Sequence, residues 1–242
     1  MSPPKQIRAV SYLLTNLGGF LSWILFWVLN RTKVIGREIL KKVGLKNLLV
    51  VSNHRSLLDS FLVTTALCFP QILLDFLLTR APFHTPDLEN YLRRKLLRGK
   101  FKFLATILLP IVSFLFVNLK CIPVRVGKKD LGVLNRVKKV LPEGMVYVFP
   151  EGTRSRTGLL GEGKAGVGKI IYDVQPQILP IFIDGIEEVM PHGAIRPRIG
   201  KWITITIGEP FDCQEFVGAP DKRETWEAIT EKVMDKIAIL AA

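Results

Sequence analysis

Residues Asn47 to Leu67 read NLLVVSNHRSLLDSFLVTTAL, and the fold class turns on them. A short β-branched run, Asn47 to Val51, leads through Ser52-Asn53-His54-Arg55 into Ser56 to Leu67, which is long enough for about three helical turns. The same order returns downstream. Gly144 to Phe149 (GMVYVF), Gln177 to Ile183 (QILPIFI) and Trp202 to Ile207 (WITITI) are strand-like runs with turn residues nearby. Helical patterns fall at Leu131 to Leu141, at Ala165 to Tyr172, and at the C-terminus, where Trp226, Ile229, Val233, Ile237 and Leu240 share a face. Strands alternating with helices specify an α/β protein with a mixed central sheet flanked by helices. A chain of 242 residues, 48% of them hydrophobic, can fill the core of one such domain, and no repeat or long linker divides it.

The quoted turn is also the first candidate for chemistry, because a side chain between a strand and the next helix faces a ligand cleft. If Ser56 starts the helix, His54 stays outside it and Asp59 falls in the first turn, from which its carboxylate can reach back to the imidazole N–H. Ser56-Leu57-Leu58-Asp59 also reads as a capping box in which Asp59 serves only the helix start. A second turn, FPEGTRSRTG from Phe149 to Gly158, leaves another strand. There a guanidinium can bind phosphate bidentately while a hydroxyl and backbone N–H groups complete the cradle; the alternative is a solvated polar loop. GEGKAG, Gly161 to Gly166, has the glycine spacing of a dinucleotide turn, but no strand leads directly into it. No GxSxG occurs, and no cysteine adjoins a histidine. Cys68, Cys121 and Cys213 are widely spaced without a CxxC pair, so neither a disulfide framework nor a thiolate metal site is expected. His84 and His192 stand alone and read as loop residues.

The net charge is +13, and it is concentrated. Between Asn90 and Val140 there are 13 basic residues against one acid, Asp130, so an anionic partner is expected to meet that segment. Leu88, Leu92 and Leu96 lead a basic amphipathic helix at its start, followed by an apolar run from Phe103 to Leu119 that Pro110 interrupts. The nearby aromatics Tyr91, Phe101 and Phe103 lie in apolar sequence rather than forming a stacking platform, so no nucleic-acid partner is expected. Ala9 to Asn30 is free of charge and, as one helix, would reach about 33 Å, enough to span a bilayer. The Gly18-Gly19 pair favours a break into two short interfacial helices with Trp23 and Trp27 at headgroup depth. The expected organisation is a membrane anchor over residues 1–33, as an interfacial helix pair or a single span, and an α/β domain over residues 34–242.

His54 and Asp59, with Glu151 of FPEGTRS 92 positions after the aspartate, resemble the motifs of the glycerolipid acyltransferases, which include the 1-acylglycerol-3-phosphate (lysophosphatidate) acyltransferases. The likeness runs from about Val34 to Phe211 and takes in CIPVRVGKKD, VLPEGMVYVFPEGTRSRTG, QILPIFIDG and RPRIGKWITITIGEPFD in order. The resemblance implies an α/β domain resting on a membrane, with its active site on the cytoplasmic face. It implies transfer of an acyl chain from acyl-CoA or acyl-carrier protein to the hydroxyl of lysophosphatidate, giving phosphatidate, with no further cofactor and no metal. Another lysophospholipid or glycerol 3-phosphate is the alternative acceptor. A non-catalytic basic binding protein would leave both motifs unexplained. Carried onto this chain, His54 is the catalytic base and Asp59 its orienting carboxylate. Glu151, Gly152, Thr153 and Arg154 form the acceptor-binding turn, and Pro180 matches the fourth block. In the second block Ile122-Pro123-Val124 precedes Arg125 and then Val126, which stands where members often carry arginine; Arg125 and Lys128 are the candidates to replace it.

Overall fold

Leu48 and Val50 are buried among one set of apolar side chains and Leu49 and Val51 among another, so the strand that carries them is covered on both faces. The computed structural model describes residues 7–74, 81–84, 110–111, 113–122, 131–155, 157–194 and 196–241. It contains strands β1 (Arg31–Ile35), β2 (Leu48–Ser52), β3 (Phe83–His84), β4 (Met145–Val148), β5 (Gln177–Asp184) and β6 (Trp202–Ile207). They form one sheet in the order β1-β6-β5-β2-β4-β3. All pairs are parallel except β5 with β6. Helices α1 (Arg8–Trp23) and α2 (Asp59–Cys68) pack on one face, α3 (Leu131–Val140), α4 (Ala165–Val174) and α6 (Arg223–Ile239) on the other, and a short α5 (Ile186–Val189) follows β5. The mixed α/β sheet expected from the sequence is the fold observed.

Register fixes where a site can form. Val51 pairs with Val148 and Ser52 with Ile181, so β2, β4 and β5 finish at one end of the sheet. Because β6 is antiparallel to β5, with Asp184 opposite Thr204, β6 begins at that same end. The turns after β2, β4 and β5 therefore meet, as open α/β sheets bring their ligands to strand carboxyl ends.

Two expectations are corrected, and two strands are added. Helix α1 runs unbroken through Gly18 and Gly19 and continues as a π-helical turn, Ile24–Val28, so the expected pair of short helices is one helix. Its packing outweighs the intrinsic cost of two glycines, and a Cβ on Gly19 would lie 3.6 Å from the Phe69 ring. The added strands, β1 and β3, were not legible. Arg31, Lys33 and Ile35 alternate with half-buried neighbours at a sheet edge, where charge is tolerated, and β3 has two residues. Second, α2 begins at Asp59 rather than Ser56, whose hydroxyl instead accepts the Leu58 N–H at 3.3 Å. The basic helix, the first seven residues of the apolar run after it, and Arg125, Val126 and Lys128 lie outside the described residues.

Helix α1 turns its polar side inward. Ser11 and Ser22 are buried, and the Asn118 carboxamide oxygen accepts from Ser11 Oγ and from the Ile7 N–H, both at 3.0 Å. Leu13, Leu17, Phe20 and Leu21 face outward. On the other side of the sheet GEGKAG is explained by packing. A Cβ on Gly161 would come within 2.9 Å of the Glu151 carboxylate, and one on Gly163 within 2.5 Å of Thr230. Gly168, two residues beyond, is the tightest: its Cβ would lie 1.8 Å from the Trp226 carbonyl oxygen. Gly168→Ala must push α6 off α4, and we expect urea unfolding to show a loss of about 3 kcal/mol, as overpacked core positions give.

Candidate active site

His54 Nδ1 lies 2.7 Å from Asp59 Oδ2. Asp59 is fully buried, and the same oxygen accepts the backbone N–H groups of Arg55 at 2.8 Å and Ser56 at 2.9 Å. One oxygen thus holds the Arg55–Ser56 turn that leads into α2 and meets the imidazole, while α2 itself starts at Asp59 without the capping box. An ionised carboxylate only accepts, so Nδ1 carries the proton and Nε2 is the basic nitrogen. The imidazole side chain is 19% exposed, open enough for a substrate hydroxyl to reach it. Its ring stacks on Phe149, with centroids 3.7 Å apart and planes 14° from parallel. Tyr147 meets Phe149 edge-on at 4.8 Å, and its hydroxyl is 2.5 Å from Ser52 Oγ. Burial, then the Asp59 charge, pushes the Tyr147 phenol well above its ordinary value against the opposing Ser52 bond, so it stays neutral.

The second turn is laced to the first. Glu151 is buried; its Oε1 accepts the His54 backbone N–H at 2.8 Å and its Oε2 the Gly161 N–H at 3.0 Å. In return Ser155 N–H donates to the His54 carbonyl at 2.7 Å. Both Glu151 oxygens have backbone donors, so this carboxylate braces the His54 turn, while Gly152 and Thr153 are exposed and Arg154 half-buried beside it. Gly152 adopts φ +66°, which favours glycine, and the Lys164 side chain lies over it, within 3.2 to 3.7 Å of where a Cβ would sit. Neither Arg154 nor Lys164 has a carboxylate partner among the described residues. The structure therefore brings together His54, Asp59, Glu151, Gly152, Thr153 and Arg154; Pro180 sits in β5 opposite Val51.

Two contributors went unnoticed in the sequence. Arg55 donates to Asp184 at 2.5 Å and Glu187 at 2.7 Å and lies over the Phe182 ring, tying the His54 turn to the end of β5. Its partners lie about 130 residues away, so nothing local marks them. Phe149 carried a signal, as the strand residue next to the second motif, but stacking on His54 follows only from the pairing of β2 with β4.

His84 lies in β3 rather than in a loop, with Nε2 3.1 Å from Thr64 Oγ1 and its ring edge-on to Tyr147. Burial first, and the Lys120 charge second, push its pKa from 6.5 down to about 3. The unfolded chain takes up this proton as pH falls below about 6.5, whereas the folded chain does so only near 3, so the stability it contributes is complete above that window and declines through it. We expect His84→Gln, which keeps a hydrogen-bonding group for Thr64, to lose less stability between pH 7 and pH 4. Urea midpoints at both pH values, compared with the unmutated chain, test this.

A family model described as Acyltransferase matches residues 90–184, which include the Glu151 turn. Tafazzin of Drosophila melanogaster is 26% identical over 98% of this chain. The chloroplastic 1-acyl-sn-glycerol-3-phosphate acyltransferase of Arabidopsis thaliana is 29% identical over 42% of it. Over these stretches the chain is similar to acyltransferases of glycerolipids. A solved structure, that of the 1-acyl-sn-glycerophosphate acyltransferase PlsC of Thermotoga maritima, shares the fold with a TM-score of 0.60 over 97% of this chain and 83% of its own, at 22% identity. The chain spans 61% of the length of the Drosophila relative and 32% of the plant one. The match to the family model begins after His54 and Asp59, so the reading of that pair rests on its geometry and on the motif resemblance.

Proposed function

We propose that this protein transfers an acyl chain from an acyl thioester, acyl-CoA or acyl-carrier protein, to the free hydroxyl of lysophosphatidate, giving phosphatidate. The observation that carries the reading is His54, held by the buried Asp59 and hydrogen-bonded, through its backbone, to the turn that carries Arg154. His54 Nε2 accepts the hydroxyl proton as the acceptor oxygen attacks the thioester carbonyl. Asp59 fixes the tautomer and stabilises the imidazolium that forms, with the Phe149 face against it. Collapse of the tetrahedral intermediate expels the thiol, which takes the proton from His54. A thiol, with a pKa of about 8.5, leaves more readily than an alcohol, so no acyl-enzyme is needed. Arg154 holds the acceptor phosphate bidentately, with Gly152 and Thr153 beside it, and Lys164 supplies a second cation. Glu151 keeps the His54 backbone in place.

A second reading, another lysophospholipid as acceptor, is favoured by the extent of the tafazzin match, 98% of the chain against 42% for the plant enzyme, and by Val126 in the second motif. Labelled acyl-CoA offered with lysophosphatidate, with other lysophospholipids and with glycerol 3-phosphate separates the readings. Fastest turnover of lysophosphatidate supports the first; turnover of none removes both.

This reading puts the reaction at a membrane surface. Helix α1 and its π-helical turn make 21 residues, long and apolar enough by length and composition to cross a bilayer. Their polar side faces the protein and their leucines face out, the arrangement of a helix in lipid with small and polar groups at the protein contact. An orientation toward the cytoplasm goes with this reading.

A further inference from the structure

A second exposed apolar surface lies where helix α1 ends. Residues 28–31 and 199–202 run side by side, with Gly200 N–H donating to the Leu29 carbonyl and Arg31 N–H to the Lys201 carbonyl, both at 2.8 Å. Buried Asn30 fastens them: its Oδ1 accepts the Lys201 N–H at 2.8 Å, and its Nδ2 donates to the Leu25 and Arg198 carbonyls. On this frame Val28, Leu29, Ile199 and Trp202 are all exposed, the last two at 65% each. The Arg31 guanidinium lies over the Trp202 indole at 5.0 Å. Arg31, Arg196 and Arg198 are exposed and lack a carboxylate partner among the described residues, and Lys201 pairs with Glu188.

We infer that this surface is a second seat on an anionic lipid bilayer, distinct from the outer face of α1. Exposed leucine, isoleucine and tryptophan set among unpaired arginines suit a headgroup region, where the indole lies at the apolar boundary and guanidinium groups meet lipid phosphates. The surface is continuous with the lipid-facing side of α1 through Val28. Its place in the sheet gives it a purpose. Trp202 opens β6 and Arg31 opens β1, paired with each other at the end where β2 and β5 finish, and His54 and Arg55 leave that same end. Seating it turns the catalytic end of the sheet toward the leaflet, so a lysophospholipid can present its hydroxyl while its chain stays in the membrane. The inference rests on the reading of a lipid acceptor, and its test reads binding separately from turnover.

The full chain and its Trp202→Phe and Ile199→Glu/Trp202→Glu variants are floated with vesicles of equal parts phosphatidylcholine and phosphatidylglycerol, and with phosphatidylcholine alone. Trp202 should be quenched by brominated lipid, so Trp202→Phe should lose that share of the quenching while still binding. The double glutamate variant should bind the anionic vesicles at least about fivefold more weakly, the equivalent of one lost basic or interfacial contact. Its thermal unfolding and its transfer to a detergent-dispersed acceptor should be unchanged. Equal quenching in the full chain and Trp202→Phe, or unchanged binding of the double variant, overturns the inference. So does a full chain that sediments as a dimer broken by the two glutamates without any effect on vesicle binding. If quenching and binding behave as expected but no chain transfers an acyl group, the seat stands and the acyltransferase reading fails.

Discussion

His54→Ala is expected to lower acyl transfer by about a thousandfold, with vesicle binding and thermal unfolding close to those of the unmutated chain. Removing a positioned general base costs about 10² to 10⁴ in rate, and His54 is the imidazole held by the buried carboxylate of Asp59. Asp59→Asn sharpens the test. An asparagine carbonyl oxygen can still accept the Arg55 and Ser56 N–H groups, so the start of α2 survives, but the neutral amide stabilises an imidazolium poorly. If Asp59 served only as a cap, its asparagine variant would keep most of the activity; we expect it to fall nearly as far as His54→Ala. Initial rates with labelled acyl-CoA in detergent, beside urea unfolding of each variant, separate the two roles.

Arg154→Ala should raise the apparent KM for lysophosphatidate by about 10- to 100-fold and leave that for the acyl donor nearly unchanged, since a charge-assisted bidentate contact is worth about 1.5–3 kcal/mol. Arg154→Lys should recover part of the loss, because an ammonium restores the charge but not the two parallel hydrogen bonds. The half-buried guanidinium has no carboxylate partner among the described residues, so its removal should not cost fold stability. Equal losses toward donor and acceptor would place Arg154 at the thioester instead. The same measurement on Arg125→Ala and Lys128→Ala assigns the second motif, where Val126 takes the usual arginine position.

The strands from Asn47, Gly144, Gln177 and Trp202 and helices α2, α3, α4 and α6 were legible because each is a local pattern: apolar β-branched runs for buried strands, a 3.6-residue apolar period for helices. The candidate residues were legible for a similar reason, since His54 and Asp59 lie in one turn and Glu151 to Arg154 in another. What no local pattern holds is the distance between the two turns. It follows from β2 pairing in parallel with β4, which brings the His54 N–H onto Glu151 across 97 positions of sequence and the Phe149 ring onto the imidazole. Only the tertiary structure showed Glu151 accepting the His54 and Gly161 backbone N–H groups, found Arg55 locked to Asp184 and Glu187, and gave Gly161 and Gly163 a reason in the room they leave for Glu151 and α6. Helix α1 makes the same point, because its composition shows an apolar segment, whereas which of its faces meets protein is decided by Asn118 and Phe69 far along the chain. The sequence by itself determined the α/β class and the chemical inventory, since hydrophobic period and residue type are local properties; the working geometry is a sum of long-range pairings, and only the folded sheet sets those.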